Sequence, residues 1–222
     1  MRGKKMTSTI KEHDFIEVEY TGKFPDGKVF DTTDKELAQK ESIFSQKMKY
    51  GSVVICVGEG NVVKGLDTFI VGKEVGKNYT VKLEPEAAFG KKDFKKIKLV
   101  PISEFTKQGL NPQPRMQIDF DGEMGTVIRA AGGRVMVNFN HPFAGREVEY
   151  EVKINKKVEE VKEQVESYLN LMFNSSKVKA EVTGDKAVVD MGMDVPEPMQ
   201  QMLKEKLNSV TKLKEVEFKK KV

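Results

Sequence analysis

Residues 84–90, EPEAAFG, stand where one pattern of the sequence ends and another begins. Before this stretch, the apolar residues of 79–83 alternate with polar ones, which is the pattern of a strand with one buried face. After it follows the lysine-rich sequence KKDFKKIK, residues 91–98. Because proline and glycine favour turns, EPEAAFG predicts a turn. Either this turn leads into a linker, or its apolar pair, Ala88 and Phe89, lines a site.

The same alternation marks residues 15–20, 53–57 and 148–154, so each of these segments is predicted to be a half-buried strand. The sequence FPDGKVF, residues 24–30, contains a Pro-Asp-Gly turn. The sequence VKGLDTFIVG, residues 63–72, has room for two or three helical turns and ends in glycine, a typical helix stop. Together these signals predict an antiparallel sheet curled around one short helix.

Residues 91–138 separate the two alternating blocks and contain strand signals of their own. These are MQIDF at 116–120, GTVIRA at 125–130 and RVMVNF at 134–139, with an Ala-Gly-Gly turn at 131–133. A structureless segment of this length inside a compact domain is uncommon. The sequence therefore predicts a small, mostly β domain inserted into the alternating one.

Residues 156–222 differ again in composition. We predict two helices on three strands here. The first helix follows from the helical spacing of apolar residues over 158–172, and the second, over 196–210, has proline at its start. The strands are a hairpin over 178–191 and a final strand in 211–221. A module this small often completes its core by association, so we expect a homodimer through it. The methionines of the module fit core or dimer packing better than a client-binding surface, the alternative interpretation: Met191, Met193, Met199 and Met202.

Composition bounds the class of protein. Of the 222 residues, 38% are hydrophobic and 32% are charged, and no run approaches the ~18 apolar residues that cross a membrane. The basic start has no apolar core of signal-peptide length, so we expect a cytoplasmic protein without a membrane partner. The single cysteine, Cys56, lies between two apolar residues and is predicted to be a core residue.

No cofactor or metal motif is found. His13 and His141 are the only histidines and lie far apart, which argues against a zinc site. GEGNVVKG, residues 58–65, lacks the glycine spacing of a dinucleotide site, and hydrolase and phosphate-loop signatures are missing. The net charge of +4 is mild and the lysines are interleaved with glutamates, so nucleic acid binding is not indicated.

If the strands close around the helix, one set of residues converges. Its members are mainly apolar or aromatic, with a single carboxylate: Tyr20, Phe30, Asp31, Val62, Val63, Leu66, Ala88, Phe89 and Tyr150. Each has a plain structural alternative, since the tyrosines alternate with core aliphatics and Asp31 is placed to cap a helix starting in TTDKE.

Four stretches together resemble the FKBP-type peptidyl-prolyl cis-trans isomerases: VEYTGKFPDGKVFDTT (18–33), VGEGNVVKGLDTFIVGKEVG (57–76), EPEAAFG (84–90) and FNHPFAGREVEYEV (139–152). The resemblance covers about residues 14–155. The segment between AFG and NHPFAG is similar to the SlyD-like branch, in which an insert-in-flap chaperone domain interrupts the catalytic domain. The C-terminal addition resembles the long archaeal form of that branch.

The resemblance implies an α+β fold with three parts. Residues 1–90 and 139–155 would form an FKBP antiparallel half-barrel around a short helix, and 91–138 the insert-in-flap domain. Residues 156–222 would form a C-terminal α/β sandwich module that dimerises. The implied partners are proline-containing peptides and unfolded protein clients.

Site roles follow from the resemblance position by position. Tyr20 matches the tyrosine of the Tyr-Thr/Val-Gly motif, and Phe30 with Asp31 matches the Phe-Asp pair that bounds the pocket. Val62 and Val63 match the pair whose backbone receives the peptide, and Leu66 stands at the pocket floor, where the best-known branch has tryptophan. The remaining walls are implied to be Ala88, Phe89, Phe143 and Tyr150. His141 lies with Phe143 where the flap rejoins the barrel and is interpreted as a loop residue.

Two functions follow. The first is an isomerase whose apolar pocket desolvates and twists the Xaa-Pro amide, while the inserted domain holds unfolded clients. The second is a holdase chaperone with a catalytically weak barrel. It stays open because Phe89 stands where the best-known branch has tyrosine, so the resemblance implies a missing hydroxyl donor. Asp31 with Tyr20 and Phe89 favour the enzyme.

Overall fold

The computed structural model describes residues 9–120 and 122–219. It contains the strands β1 (Phe15–Lys23), β2 (Val29–Thr32), β3 (Val53–Cys56), β4 (Asn78–Leu83), β5 (Ile97–Pro101), β6 (Gln117–Phe120), β7 (Glu123–Ala131), β8 (Arg134–Asn138), β9 (Val148–Lys157), β10 (Lys179–Thr183), β11 (Lys186–Asp190) and β12 (Glu215–Phe218). The helices are α1 (Lys35–Lys40), α2 (Lys64–Ile70), α3 (Ile102–Thr106), α4 (Val161–Met172) and α5 (Glu197–Val210). Short 3-10 turns occupy Pro85–Ala87 and Phe94–Lys96.

Backbone contacts divide the chain into two compact units. The main unit consists of the residues up to Leu83 together with those from Glu147 onward, and the inserted unit is Glu84–Arg146. The inserted unit therefore begins at EPEAAFG and is wider than the predicted insert of 91–138.

The alternating segments of the main unit form a five-stranded antiparallel sheet. Its order is β2-β1-β9-β4, and β3 pairs with β1 beside β2. Ile16 and Val18 of β1 and Ile154 of β9 are buried, as strands with one apolar face require. The predicted turn in FPDGKVF is present, with Gly27 at φ +83. The predicted short helix is α2, which buries Leu66 and Ile70.

Helix α1 was predicted only as an alternative, through the helix-start pattern in TTDKE. It has six residues, and its N-cap is Asp34, whose Oδ1 accepts the N–H groups of Glu36 at 2.8 Å and Leu37 at 3.1 Å. The helix-start pattern in TTDKE is therefore real, but the cap is Asp34, so the capping role that was the alternative for Asp31 is wrong. This leaves Asp31 without a capping role.

The two helices and three strands predicted after residue 156 are present in the main unit. Strands β10, β11 and β12 lie side by side in that order, with β12 parallel to β11. Helices α4 and α5 bury an apolar stripe that includes Leu169 and Leu203. Phe15 of β1 and Cys56 of β3 belong to this same core, so the C-terminal helices share side-chain packing with the five-stranded sheet.

The methionines of this region are divided. Met191 is buried in the core, as expected, whereas Met193, Met199 and Met202 are exposed. Core packing is therefore confirmed for Met191, whereas for the other three methionines only dimer packing is left of that interpretation, and it stays a prediction.

The inserted unit contains a four-stranded antiparallel sheet of order β5-β8-β7-β6. The predicted turn between β7 and β8 is present over Gly132 and Gly133, both with positive φ. Its core includes Val100, Phe105 and Val135. The first strand, β5, and helix α3 were not predicted, because IKLVPISEFT has neither strict alternation nor a clear helical period.

Among the described residues, no helix is both long and apolar enough to span a membrane.

Candidate active site

Three aromatic side chains from three neighbouring strands meet in the main unit. The ring of Tyr150 in β9 lies 6.0 Å from that of Tyr20 in β1 and 5.8 Å from that of Phe30 in β2, both in edge-to-face geometry. Phe24, in the β1–β2 turn, packs on Phe30 at 4.7 Å. Tyr150 is only 3% exposed. The predicted residues Tyr20, Phe30 and Tyr150 thus form one ring cluster.

Gly22 makes this ring cluster possible. In the sheet it is the Cα partner of Tyr150 on β9. A Cβ atom built on Gly22 would lie 2.6 Å from Cζ of Phe30 and 2.9 Å from Cε1 of Tyr150, closer than real Cβ atoms come. The absence of a side chain at this position therefore lets two rings approach the sheet backbone.

Asp31 and Tyr20 form a hydrogen-bonded pair beside the ring cluster. Burial raises the pKa of Asp31, while the Tyr20 hydroxyl and the Thr32 backbone N–H, which donate to the carboxylate, oppose that rise. Burial and the neighbouring Asp31 raise the pKa of Tyr20, so its hydroxyl remains a donor at neutral pH. The pair places one oriented hydroxyl and one partly desolvated carboxylate against apolar rings.

The remaining predicted residues of the main unit follow β3. Val62 and Val63 are partly buried and Leu66, in the first turn of α2, is fully buried. Val63 is the N-cap residue of α2, and its carbonyl accepts the N–H groups of Leu66 and Asp67. Among the described residues, no acceptor is recorded for the Val63 N–H, the group that the family resemblance assigns to peptide binding.

The β3–α2 loop, residues 57–63, is held by polar side chains that were not predicted. The buried carboxylate of Asp67 accepts the N–H of Gly58 at 2.8 Å and that of Gly60 at 3.1 Å. Asn61 Oδ1 accepts a backbone N–H from the end of β3 at 2.8 Å. These bonds satisfy loop N–H groups that regular structure would otherwise pair. They fix the backbone just before Val62 and Val63.

Ala88, Phe89 and Phe143 lie in the inserted unit. The Phe89 ring stacks on His141 at 4.6 Å and meets Phe143 edge-on at 5.3 Å. Burial lowers the pKa of His141, so the imidazole is mainly neutral at neutral pH. The structure thus brings Phe89, His141 and Phe143 together, and their assignment as pocket walls stays a prediction.

A cleft of about 400 Å³ in the main unit lies beside the ring cluster. Its walls include Tyr20, Met48, Tyr50 and Leu171, and Tyr20 is the only predicted site residue among them. The cleft therefore borders the predicted site without containing it.

Sequence reasoning missed Gly22 and Asp67 as supports of the site. Gly22 stands two residues after Tyr20 in a strand interior, where glycine signals close approach of another group. Asp67 stands in the first turn of a short helix that follows a loop with two glycines, a position from which a carboxylate can accept loop N–H groups. Both signals are visible in the sequence.

Comparison with protein families gives two matches. A family model described as FKBP-type peptidyl-prolyl cis-trans isomerase matches residues 6–106, and one described as FKBP26, IF domain, matches residues 98–143. The second match lies within the inserted unit.

Several curated proteins are similar to this chain. The short-type peptidyl-prolyl cis-trans isomerase of Methanocaldococcus jannaschii is 32% identical over 149 residues, which are 67% of this chain and 94% of that protein. The FKBP-type 16 kDa peptidyl-prolyl cis-trans isomerase of Escherichia coli is 29% identical over 154 residues, 67% of this chain and 94% of that protein. The FKBP-type isomerase SlyD of Treponema pallidum is 24% identical over 145 residues, 63% and 73% of the two chains.

Proposed function

Since the chain belongs to the FKBP-type peptidyl-prolyl cis-trans isomerases, we propose that it couples isomerisation of Xaa-Pro bonds at the ring cluster with the holding of unfolded clients by the inserted unit. In this proposal the chain is of the SlyD-like kind, with an insert-in-flap domain, and the C-terminal addition makes it a long form of that branch. The observation that carries the catalytic part is the cluster of Tyr20, Phe30 and Tyr150 around the Tyr20–Asp31 hydrogen bond.

The ring cluster suits a reaction that needs no nucleophile. Rotation about an Xaa-Pro bond faces a barrier of about 18–20 kcal/mol, because the amide loses its resonance when it twists. Water stabilises the planar, charge-separated amide more than the twisted one. An apolar site replaces that water, so the barrier falls relative to that in solution. Phe30, Leu66 and Tyr150 supply the apolar surface.

The polar groups orient the substrate. The Val63 N–H anchors the peptide chain next to the proline, and the β3–α2 loop keeps it in place through Asp67. Asp31 acts as an electrostatic and orienting group near the twisting carbonyl, and the Tyr20 hydroxyl fixes the position of its carboxylate. No proton transfer is required, so Asp31 is not a general base.

Exposed apolar side chains support the chaperone part. In the inserted unit Phe94 is 81% exposed, Met124 59% and Leu99 57%. Strand alternation puts Leu99 on the face opposite to the buried Val100, and its cross-strand partner is Met136. Apolar groups outside a core are the ordinary contact surface for unfolded chains. The face that includes Leu99 and Met136 is the proposed client surface.

We also propose a homodimer formed through residues 156–222 and a cytoplasmic location. Exposed Met193, Met199 and Met202 and the outer strands β10 and β12 of a three-stranded sheet support the dimer. Sedimentation of the full chain at micromolar concentration should give twice the monomer mass, and Met202→Glu should lower that mass. A full-length chain that sediments as a monomer would rule the dimer out.

The variant Asp31→Ala tests the proposed function directly. We expect it to lower turnover of a proline tetrapeptide about tenfold or more, because one preorganised electrostatic group is lost. Suppression of aggregation of an unfolded client should not change. Asp26→Ala, which removes an exposed carboxylate in the β1–β2 turn, is the matched control. Unchanged turnover in Asp31→Ala would exclude Asp31 from the site, and a holdase with a weak barrel would show negligible turnover already in the unaltered chain.

A further inference from the structure

A buried carboxylate lies in the middle of the β3–α2 loop. Only 7% of the Glu59 side chain is exposed. Lys206 Nζ of α5 lies 2.6 Å from Glu59 Oε2, and the Tyr168 hydroxyl of α4 donates to the same oxygen at 3.2 Å. His13 Nε2, half-exposed, lies 3.7 Å from the other oxygen. Both short contacts to Glu59 thus come from the C-terminal helices.

This arrangement makes the loop depend on those helices. A carboxylate out of water is stable only when it is paired and hydrogen-bonded. Without Lys206 and Tyr168, Glu59 would gain by turning toward solvent, and the loop would lose its side-chain contacts with α4 and α5. The loop conformation that buries Glu59 is therefore favoured only while α4 and α5 are docked.

Helices α4 and α5 pack through a shared apolar core against strands β1 and β3. The Tyr168 ring meets Phe15 of β1 edge-on at 6.3 Å, and Phe15 and Cys56 share a core with Leu169 and Leu203. Because β3 ends at Cys56, the loop starts from a residue inside this core. Helices α4 and α5 thus hold the start of the β3–α2 loop through apolar packing at Cys56, and its middle through the ion pair between Lys206 and Glu59.

The opposite side of the loop is fixed by α2. Asp67 accepts the N–H groups of Gly58 and Gly60, the two neighbours of Glu59 in the chain. The backbone between them is therefore held by Asp67 while the Glu59 side chain is held by Lys206 and Tyr168. Val62 follows only two residues after Gly60, so a displacement at Glu59 reaches the proposed peptide-binding segment directly.

We propose that Glu59 is a positioning residue for isomerisation. Through Lys206 and Tyr168, the C-terminal helices hold the substrate-binding β3–α2 loop in its conformation. None of the three touches the substrate. They act by keeping the Val62–Val63 backbone in the geometry that receives the peptide. The C-terminal module thereby has a role in each turnover, separate from any role in dimerisation.

Neutralising the cation is the first test. In the full chain, Lys206→Met should lower tetrapeptide kcat/KM about tenfold, because small displacements of binding groups have large effects on rate. The amide resonances of residues 58–63 should shift in the NMR spectrum. Lys219→Met, which breaks the exposed pair with Glu181 in the same module, should change neither.

Rescue separates positioning from general stability. Glu59→Gln combined with Lys206→Met should recover kcat/KM to within about threefold of the unaltered chain, because a neutral amide bonded by Tyr168 needs no cation and coupled residues are not additive. Tyr168→Phe keeps the ring packing, removes one donor and should produce a smaller loss in the same direction. This variant serves if Lys206→Met does not fold.

Two results would overturn the proposal. One is a folded Lys206→Met or Tyr168→Phe chain with unchanged kcat/KM and unmoved amides at Val62 and Val63. The other is a double variant as impaired as Lys206→Met alone. The amide shifts decide the matter even if the intact chain shows no tetrapeptide turnover, a result that would count against the isomerase function and not against this coupling.

Discussion

Two antiparallel sheets in this molecule use apolar side chains in opposite ways. In the sheet of the main unit, Tyr150 packs against other rings and is only 3% exposed. In the sheet of the inserted unit, Leu99 is 57% exposed. Both sheets also contain a glycine that lets rings or branched side chains approach the backbone. An enclosed apolar site can select one kind of bond, while an open apolar face binds many chains without selection.

Closing the space at Gly22 should have the largest effect on the enclosed site. In Gly22→Ala, the new Cβ would collide with Phe30 and Tyr150, so both rings must move. We expect tetrapeptide kcat/KM to fall about 100-fold, with client holding unchanged. Lys23→Ala, the next residue on the other face of β1, is the control and should retain turnover. Full activity in Gly22→Ala would show that the ring cluster is not the catalytic site.

The matching change in the inserted unit is Gly125→Ala. A Cβ there would lie 2.6 Å from Cγ1 of Val137 and 2.8 Å from Cε1 of Phe139. Such overpacking costs about 1–3 kcal/mol, so the inserted unit should open more often and lose its protection from amide hydrogen exchange. Suppression of aggregation should weaken while tetrapeptide turnover stays. The exposed residue Arg129 on the same strand offers the control Arg129→Ala. Equal loss of both activities would contradict the separation of roles.

Making the open face polar should have an intermediate effect. The variant Leu99→Ser keeps the core residue Val100. Since burying such a side chain against a client is worth about 1.5 kcal/mol or more, client affinity should fall about tenfold. Binding of a permanently unfolded protein, followed by fluorescence anisotropy, measures this. Lys98→Ser, the polar neighbour on β5, is the control. Unchanged affinity would exclude this face as the client surface.

The smallest effect is expected from acid. Burial raises the pKa of Asp31 above its ordinary value of 3.8, so the group binds its proton at a higher pH when the chain is folded. Its contribution to the free energy of unfolding is therefore full below 3.8 and declines as the pH rises through the folded pKa. Turnover should fall on acidification with a midpoint above 3.8, and Asp31→Ala should lack this step. The same midpoint in both proteins would assign the titration to another group.

Local patterns predicted the strands of the main unit well. The alternation of apolar and polar residues predicted β1, β3, β4 and β9, because each of these strands has one buried and one solvent-exposed face. It missed β5, which lacks strict alternation, and it could not locate α1, whose six residues are too few to show a helical period. Gly132 and Gly133 indicated the turn between β7 and β8, because few other residues accept positive φ.

Part of the residue grouping in the candidate site could be predicted from the sequence. The resemblance named the ring cluster and Asp31, since those residues lie in contiguous motifs. It could not name the pairing of Glu59 with Tyr168, because 109 residues separate them and nothing local in either segment indicates the contact. Contacts of this kind depend on how α4 and α5 dock, which the sequence pattern of each helix leaves open. The capping role considered as an alternative for Asp31 belongs to Asp34, and the two acids were hard to tell apart because both precede the same short helix.

The division of labour between the two sheets is tested most directly by replacing residues 91–138 with a short flap and measuring two rates on the same preparation. We expect turnover of a proline tetrapeptide to be retained, whereas acceleration of a proline-limited protein refolding reaction should be lost. Equal loss of both rates, or equal retention of both, would contradict this division of labour.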